Sequence, residues 1–233
     1  RVQQIPAGCD RSRFFSDPDA ARDLGHRFQL RDGVFTVLTC SRLAPRKGHA
    51  DLFQALRLSK LRADWIIAGG GSWRNGARLW RDTWSLWSGP RLRVRRVGHV
   101  DDRTLRGLFH RADVFALTPI ERMQGTRLDS EGYGLVYLEA NACGCPALAT
   151  RSGGCADAVL DGVTGYLAEP GDPVSIAGAL QRFAAAPDAG VAMGAAGQAR
   201  VDAFDGWRAA TAAVRNHLAK IVDAPALRMA SNV

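Results

Sequence analysis

Short, nearly unbroken apolar runs alternate along the chain with longer stretches in which apolar residues recur every three or four positions. The runs 34–40, 65–68, 92–97, 114–117, 147–150 and 165–168 predict strands. Apolar side chains at successive positions suit strands covered on both faces. Helical periodicity covers 49–59, 72–87, 101–112, 135–142 and 155–160. Strand–helix–strand alternation at this spacing predicts an α/β fold, a parallel sheet wrapped by helices, with ligands at the carboxyl ends of the strands. Past residue 171 the pattern is purely helical, at 173–186, 191–204 and 207–222. Asp172-Pro173 reads as an N-cap followed by a first-turn proline. The tail from Asp223 onward is expected to be loose, and there is no internal repeat or low-complexity tract.

Composition narrows the class without changing this picture. An apolar fraction of 46% and a charged fraction of 23% over 233 residues fit a globular domain and exclude disordered or collagen-like chains. No apolar run reaches the roughly 20 residues that span a bilayer. The start, Arg1-Val2-Gln3-Gln4-Ile5-Pro6, has neither an initiator Met nor a secretory apolar stretch, and reads as the middle of a longer chain. The net charge is +8, and all but three of the 31 basic residues are Arg. A basic surface favours anionic partners, either one phosphate site or, less well supported, nucleic acid. The dispersed Arg residues form neither the single stripe nor the aromatic interleaving of a nucleic-acid binder, so no nucleic-acid partner is expected. Arg91, Arg93 and Arg95 share one face of an extended segment that could touch a membrane. The five cysteines, Cys9, Cys40, Cys143, Cys145 and Cys155, are odd in number and suit a reduced, cytoplasmic setting.

Three stretches can carry chemistry. Ser41-Arg42-Leu43-Ala44-Pro45-Arg46-Lys47-Gly48 follows the first strong strand, where such sheets hold anions. Arg42 and Lys47 could converge on one diphosphate, the first as a fork and the second as a point charge; a solvated basic loop is the plain alternative. The spacing is not that of a P-loop. Gly69-Gly70-Gly71 follows the second strand. It lacks the dinucleotide spacing, since Arg74 stands where the last glycine belongs, and reads as a turn or as a close approach to a ligand. Gly98-His99-Val100, after the third strand, is a similar turn whose backbone could meet the edge of a base.

The most informative stretch runs from Asp129 through Glu131-Gly132-Tyr133-Gly134 to Glu139. Glu131 precedes a helix and Glu139 lies about two turns inside it. Gly132 and Gly134 leave the first helical amides open to an anion or a sugar hydroxyl. A carboxylate accepting bonds from neighbouring hydroxyls is a natural sugar or ribose grip. The alternative is a helix-dipole Glu followed by a surface Glu, but Glu139 sits among apolar residues, where an unpaired charge is costly. Cys143-Gly144-Cys145 has no second ligand pair nearby and reads as core thiols. Trp73, Trp80, Trp84 and Trp87 make one helical stripe, either core packing or a partner or membrane surface.

Taken in order, these motifs resemble the C-terminal, donor-binding half of a retaining family-four glycosyltransferase with the GT-B fold, a Rossmann-like sheet with a helical C-terminus. The segments that carry the likeness are Ile5-Pro6-Ala7-Gly8-Cys9-Asp10 with Phe14-Phe15, Ser41-Arg42-Leu43 to Lys47-Gly48, Ala112-Asp113-Val114-Phe115-Ala116-Leu117-Thr118-Pro119, Glu131 to Glu139 as an E-x7-E motif, Ser152-Gly153-Gly154, and Gly162-Val163-Thr164-Gly165 with Pro170-Gly171-Asp172. The resemblance implies that residues 1–30 are an interdomain connector and first helix, 31–222 the nucleotide-sugar-binding domain, and 223–233 a tail. It implies that the N-terminal acceptor domain lies outside this chain, and that the chain alone transfers poorly.

By the same resemblance, Arg42 and Lys47 neutralise the donor diphosphate and Glu131 holds donor-sugar hydroxyls. The amides of Gly134, Leu135 and Val136 cradle sugar and phosphate, Glu139 takes the ribose, and the turns at Gly70 and at Gly98 and Val100 approach the nucleotide. No metal and no cofactor beyond a GDP- or UDP-linked donor is implied. The resemblance leaves the acceptor open, with a lipid or a polysaccharide as the candidates, and implies a cytoplasmic setting that allows peripheral contact at the inner membrane face. The loop after the first strand, the 126–136 stretch and Ser152 to Val159 are nearest to bacterial GDP-mannose-dependent phosphatidylinositol mannosyltransferases. Ser41, Gly70 and Arg151 depart from that pattern, and Arg151 could reach the sugar pocket. The competing readings are a nucleotide-sugar epimerase of the same fold and a non-catalytic sugar-nucleotide-binding module.

Overall fold

The computed structural model describes residues 7–22, 24–71, 90–203 and 206–222. Its main sheet is six-stranded and parallel, built from β1 (Phe35–Cys40), β2 (Ala63–Ala68), β3 (Leu92–Gly98), β4 (Val114–Ala116), β7 (Ala147–Thr150) and β8 (Gly165–Ala168). The order β3-β2-β1-β4-β7-β8 makes the chain leave β1 in one direction and return beside it as β4. The crevice of a doubly wound sheet lies where that order reverses, above the carboxyl ends of β1 and β4.

Alternate residues of each strand feed two cores. Leu38, Ile66, Phe115, Leu117, Ala147 and Ala149 face the layer that holds Leu108 and Phe109 of the helix Asp102–Arg111 and Tyr137 of the helix Leu135–Ala142. Val37, Trp65, Ile67, Val114 and Leu148 face the opposite layer, with Leu52, Phe53 and Leu56 of His49–Ser59 and Ile176, Leu180 and Phe183 of Pro173–Ala185. Each such aliphatic or aromatic side chain contributes about 1.5–3 kcal/mol on burial. This double coverage explains the unbroken apolar runs.

The predicted elements mostly hold, with differences of physical origin. The helix expected over 155–160 ends at Ala158, because Val159 is extended at φ −113 and ψ 117. The helix expected from 191 starts at Pro187, a residue suited to a first turn. The first helix is two pieces, Pro18–Ala21 and Leu24–Phe28. A small antiparallel pair, β5 (Arg122–Gln124) and β6 (Arg127–Asp129), escaped the sequence reading, because three residues per strand carry no readable alternation. The helix expected over 72–87, with Trp73, Trp80, Trp84 and Trp87, lies outside the described residues, as does the tail from 223. Among the described residues no helix is long and apolar enough to cross a membrane.

Candidate functional site

The rim of the crevice begins where β1 ends. Pro45–Lys47 forms a single 3-10 turn, closed by Gly48 in the left-handed region at φ 70. A side chain at Gly48 would overlap the Thr118 carbonyl, so glycine alone lets this turn press against the chain leaving β4. The Thr118 hydroxyl donates to the Gly48 carbonyl at 3.0 Å, and the Ile120 amide donates to the Arg46 carbonyl at 2.9 Å. These bonds fix the direction in which Arg46 and Lys47 point.

The acidic side comes from the segment after β4. β6 delivers Asp129, and Glu131 follows two residues later, buried at 9% exposure. Its backbone is held by Gly153 and Gly154: a side chain at Gly153 would overlap the Glu131 carbonyl, and that carbonyl accepts from the Gly154 amide at 3.2 Å. Lys47 Nζ donates to Glu131 Oε2, and Arg46 Nη1 donates to the same oxygen at 3.0 Å. Arg46 Nε also meets Asp129 Oδ1 at 3.2 Å. Both cations meet Oε2, and among the described residues no hydrogen bond to Glu131 Oε1 is formed.

Beyond Glu131 the helix Leu135–Ala142 starts on Gly134, left-handed at φ 80, with no side-chain cap. The amides of Leu135 and Val136 therefore lack intrahelical partners and present the positive end of the helix. Tyr137, in the same turn, donates from its hydroxyl to the Leu117 carbonyl at 2.7 Å and ties the helix start to the end of β4. Glu139 follows, half-buried. Burial raises its carboxyl above the ordinary range, Arg13 opposes the shift and Asp102 adds to it. Among the described residues Glu139 makes no ion pair. Burial first, and the Glu139 charge second, push the Cys40 thiol up to about 11.

The turns after β1, β2 and β3 are stitched side by side. The Gly70 carbonyl accepts from the Leu43 amide at 2.9 Å, and the Gly98 carbonyl accepts from the Gly69 amide at 2.7 Å. Both carbonyls thus align the rim, while Val100 packs against the core. Arg42 is exposed and makes no ion pair among the described residues. The structure therefore brings Lys47 against Glu131 and sets Gly134, Leu135 and Val136 beside them. Arg42, Gly70, Gly98 and Val100 line the β1–β3 side of the same carboxyl edge.

Two residues of the site were missed. Arg46 has no role in the sequence reading, where only Arg42 and Lys47 of its loop are singled out, although its place next to Lys47 was the available signal. His49 is buried beside Ser41, with Nε2 3.1 Å from the hydroxyl. Burial first, and Lys47 second, lower its pKa to about 4, so the imidazole is neutral. Arg151 pairs with Asp161 at 2.7 Å and Glu169 at 3.4 Å, and Arg93 and Arg95 donate to Gln29. Cys143 and Cys145 are buried core thiols, raised by desolvation, that of Cys143 to about 12. Among the described residues no cluster of His, Cys, Asp and Glu could hold a metal ion. A cleft of about 670 Å3 exists at the opposite edge, near the amino ends of β1, β4 and β7; Cys143 is among its lining residues, but Arg42, Arg46, Lys47, Glu131 and Glu139 are not.

The chain is thus a doubly wound α/β domain with cations, carboxylates and an uncapped helix start at the carboxyl edge of its sheet. Residues 25–200 match the family described as Glycosyl transferases group 1, and the chain belongs to that family. It is 37% identical, over 92% of its length, to a GDP-mannose-dependent alpha-(1-6)-phosphatidylinositol monomannoside mannosyltransferase of Mycolicibacterium smegmatis, of which it covers 54%. It is 31% identical, over 88% of its length, to a GDP-mannose-dependent monoacylated alpha-(1-6)-phosphatidylinositol monomannoside mannosyltransferase of Corynebacterium glutamicum, of which it covers 52%. The chain thus spans about half the length of these curated relatives. Its fold is that of Anabaena Alr3699/HepE, solved in complex with UDP and glucose, with a TM-score of 0.79 at 23% identity over 93% of this chain and 56% of that one.

Proposed function

We propose that the crevice binds a nucleotide sugar and that this chain, with 31–222 as its donor-binding domain, is part of a retaining hexosyltransferase. The donor best supported is GDP-mannose, which the phosphatidylinositol mannosyltransferase relatives carry in their names. The observation that carries the reading is the convergence of Lys47 and Glu131 at the sheet's point of reversal, with the open start of the helix Leu135–Ala142 beside them. In this reading Lys47 and Arg42 meet the charge that grows on the leaving diphosphate, the principal demand of the reaction. Glu131 accepts hydroxyls of the sugar, the amides of Leu135 and Val136 cradle sugar and distal phosphate, and Glu139 accepts the ribose hydroxyls. The anomeric carbon–oxygen bond breaks, the acceptor oxygen bonds on the same face, and its proton passes to the departing phosphate oxygen.

The acceptor in this reading is a lipid-linked polyol at the cytoplasmic face of a membrane, and its site is supplied by a region of the whole enzyme other than these 233 residues. Calorimetry of the chain against GDP, UDP and ADP sugars tests the donor. Binding of GDP-mannose ahead of the others supports the reading, and no binding of any of them refutes it. Efficient mannosyl transfer by the chain alone would show that the acceptor site is not supplied from elsewhere.

A further inference from the structure

Arg46 is not a solvated loop cation: it is tied to two carboxylates, where Lys47 is tied to one. The Arg46 side chain is 17% exposed. Nη1 reaches Glu131 Oε2 at 3.0 Å and the Ser130 carbonyl at 3.4 Å, while Nε reaches Asp129 Oδ1 at 3.2 Å. Its own carbonyl accepts from the Ile120 amide at 2.9 Å. One residue therefore grips both ends of the excursion from 120 to 131, which is closed at its base by the pairing of Arg122 with Asp129. Arg42, exposed and unpaired among the described residues, is a cation free to follow a phosphate; Arg46 is not.

The two cations on Glu131 are consequently unequal. An incoming diphosphate competes with Glu131 for Lys47, a flexible point charge, and also repels the carboxylate. The planar fork of Arg46 can keep Glu131 in place through that exchange because Asp129 anchors it from the other side.

We propose that Arg46 is a positioning residue which, by bridging Asp129 and Glu131, holds the sugar-binding carboxylate in register while Lys47 turns to the donor diphosphate. This rests on Glu131 being the sugar ligand. The test is calorimetry of GDP and of GDP-mannose, read as the ratio of the two dissociation constants, for the wild-type chain, Glu131→Gln, Arg46→Lys and Asp129→Asn, with thermal melts as a check on folding.

Arg46→Lys keeps the charge but cannot span both carboxylates, and is expected to shift the ratio against GDP-mannose at least tenfold while GDP binding stays within about twofold. Asp129→Asn attacks the bridge from the hairpin side and is expected to shift the ratio in the same direction by a smaller factor, which keeps the test open if the Arg46 variant fails to fold. Equal losses of both ligands in Arg46→Lys would make Arg46 one more phosphate cation and overturn the proposal. A ratio moved by Glu131→Gln but by neither Arg46→Lys nor Asp129→Asn would overturn it while leaving Glu131 as the sugar ligand. A ratio unmoved by Glu131→Gln would refute the underlying reading itself.

Discussion

Glu131 and Glu139 are the same residue type on one short stretch of chain, yet the fold prepares them differently. Glu131 sits on the rim with two cations on a single oxygen, so its charge is compensated before any ligand arrives. Glu139 lies inside the helix, with no ion pair among the described residues, and burial raises its carboxyl. The contrast separates two kinds of readiness. In the proposed function the rim carboxylate shares its lysine with the entering diphosphate, so binding rearranges charge that is already there. The helical carboxylate instead waits for hydroxyl donors and gains most from a ligand that brings them. A nucleotide sugar, with a diphosphate flanked by a sugar and a ribose, matches both demands.

The largest expected effect tests the rim. Lys47→Ala should weaken GDP binding by about 3 kcal/mol, the upper end for a charge-assisted bond, as read by calorimetry. A loss below twofold would mean that Lys47 serves only Glu131. A comparable effect lies beneath the rim, at His49. Its pKa is lowered from 6.5 to about 4, so the folded chain resists a proton that the unfolded chain accepts. The stability it contributes is full above pH 6.5 and is lost as pH falls toward 4, about 3 kcal/mol in all. Denaturant melts across that window should flatten in His49→Gln relative to wild type.

Glu139→Gln sharpens the comparison from the other end. It should cost about 2 kcal/mol for GDP and nothing for inorganic pyrophosphate, which has no ribose. The sign on stability is opposite to that of a paired carboxylate. A raised folded pKa means that ionised Glu139 opposes folding above the ordinary carboxylate range, so the variant should melt higher at pH 7, and the gain should vanish below about pH 4. The smallest effect is expected at Arg42, whose exposed side chain must be recruited by the ligand. Arg42→Ala should cost GDP about 1.5 kcal/mol, with a stronger salt dependence than Lys47→Ala shows.

Much of this was legible in the sequence because the signals were local. Strands covered on both faces write themselves as apolar runs, and Asp172-Pro173 announces the helix Pro173–Ala185, whose N-cap Asp172 accepts from the Val174 and Ser175 amides. Lys47 and Glu131 could be paired only through the order of motifs, since 84 residues separate them. The bridge from Arg46 to Asp129 was hidden for the same reason, compounded by a hairpin too short to show a pattern. The difference between the two glutamates was hidden as well, because burial and neighbouring charge belong to the folded chain. The partners of Arg151 were hidden too: it pairs with Asp161 and Glu169, and neither contact can be read from the motif it departs from.

The central claim is that one crevice at the point of reversal holds both the diphosphate and the ribose of a nucleotide. Its most direct test is a calorimetric titration of the chain with GDP, repeated in the presence of saturating pyrophosphate. The account predicts a single GDP site that pyrophosphate competes for, with affinity reduced by Lys47→Ala and by Glu139→Gln alike. GDP binding that ignores pyrophosphate and survives both substitutions would place the nucleotide elsewhere and contradict the account.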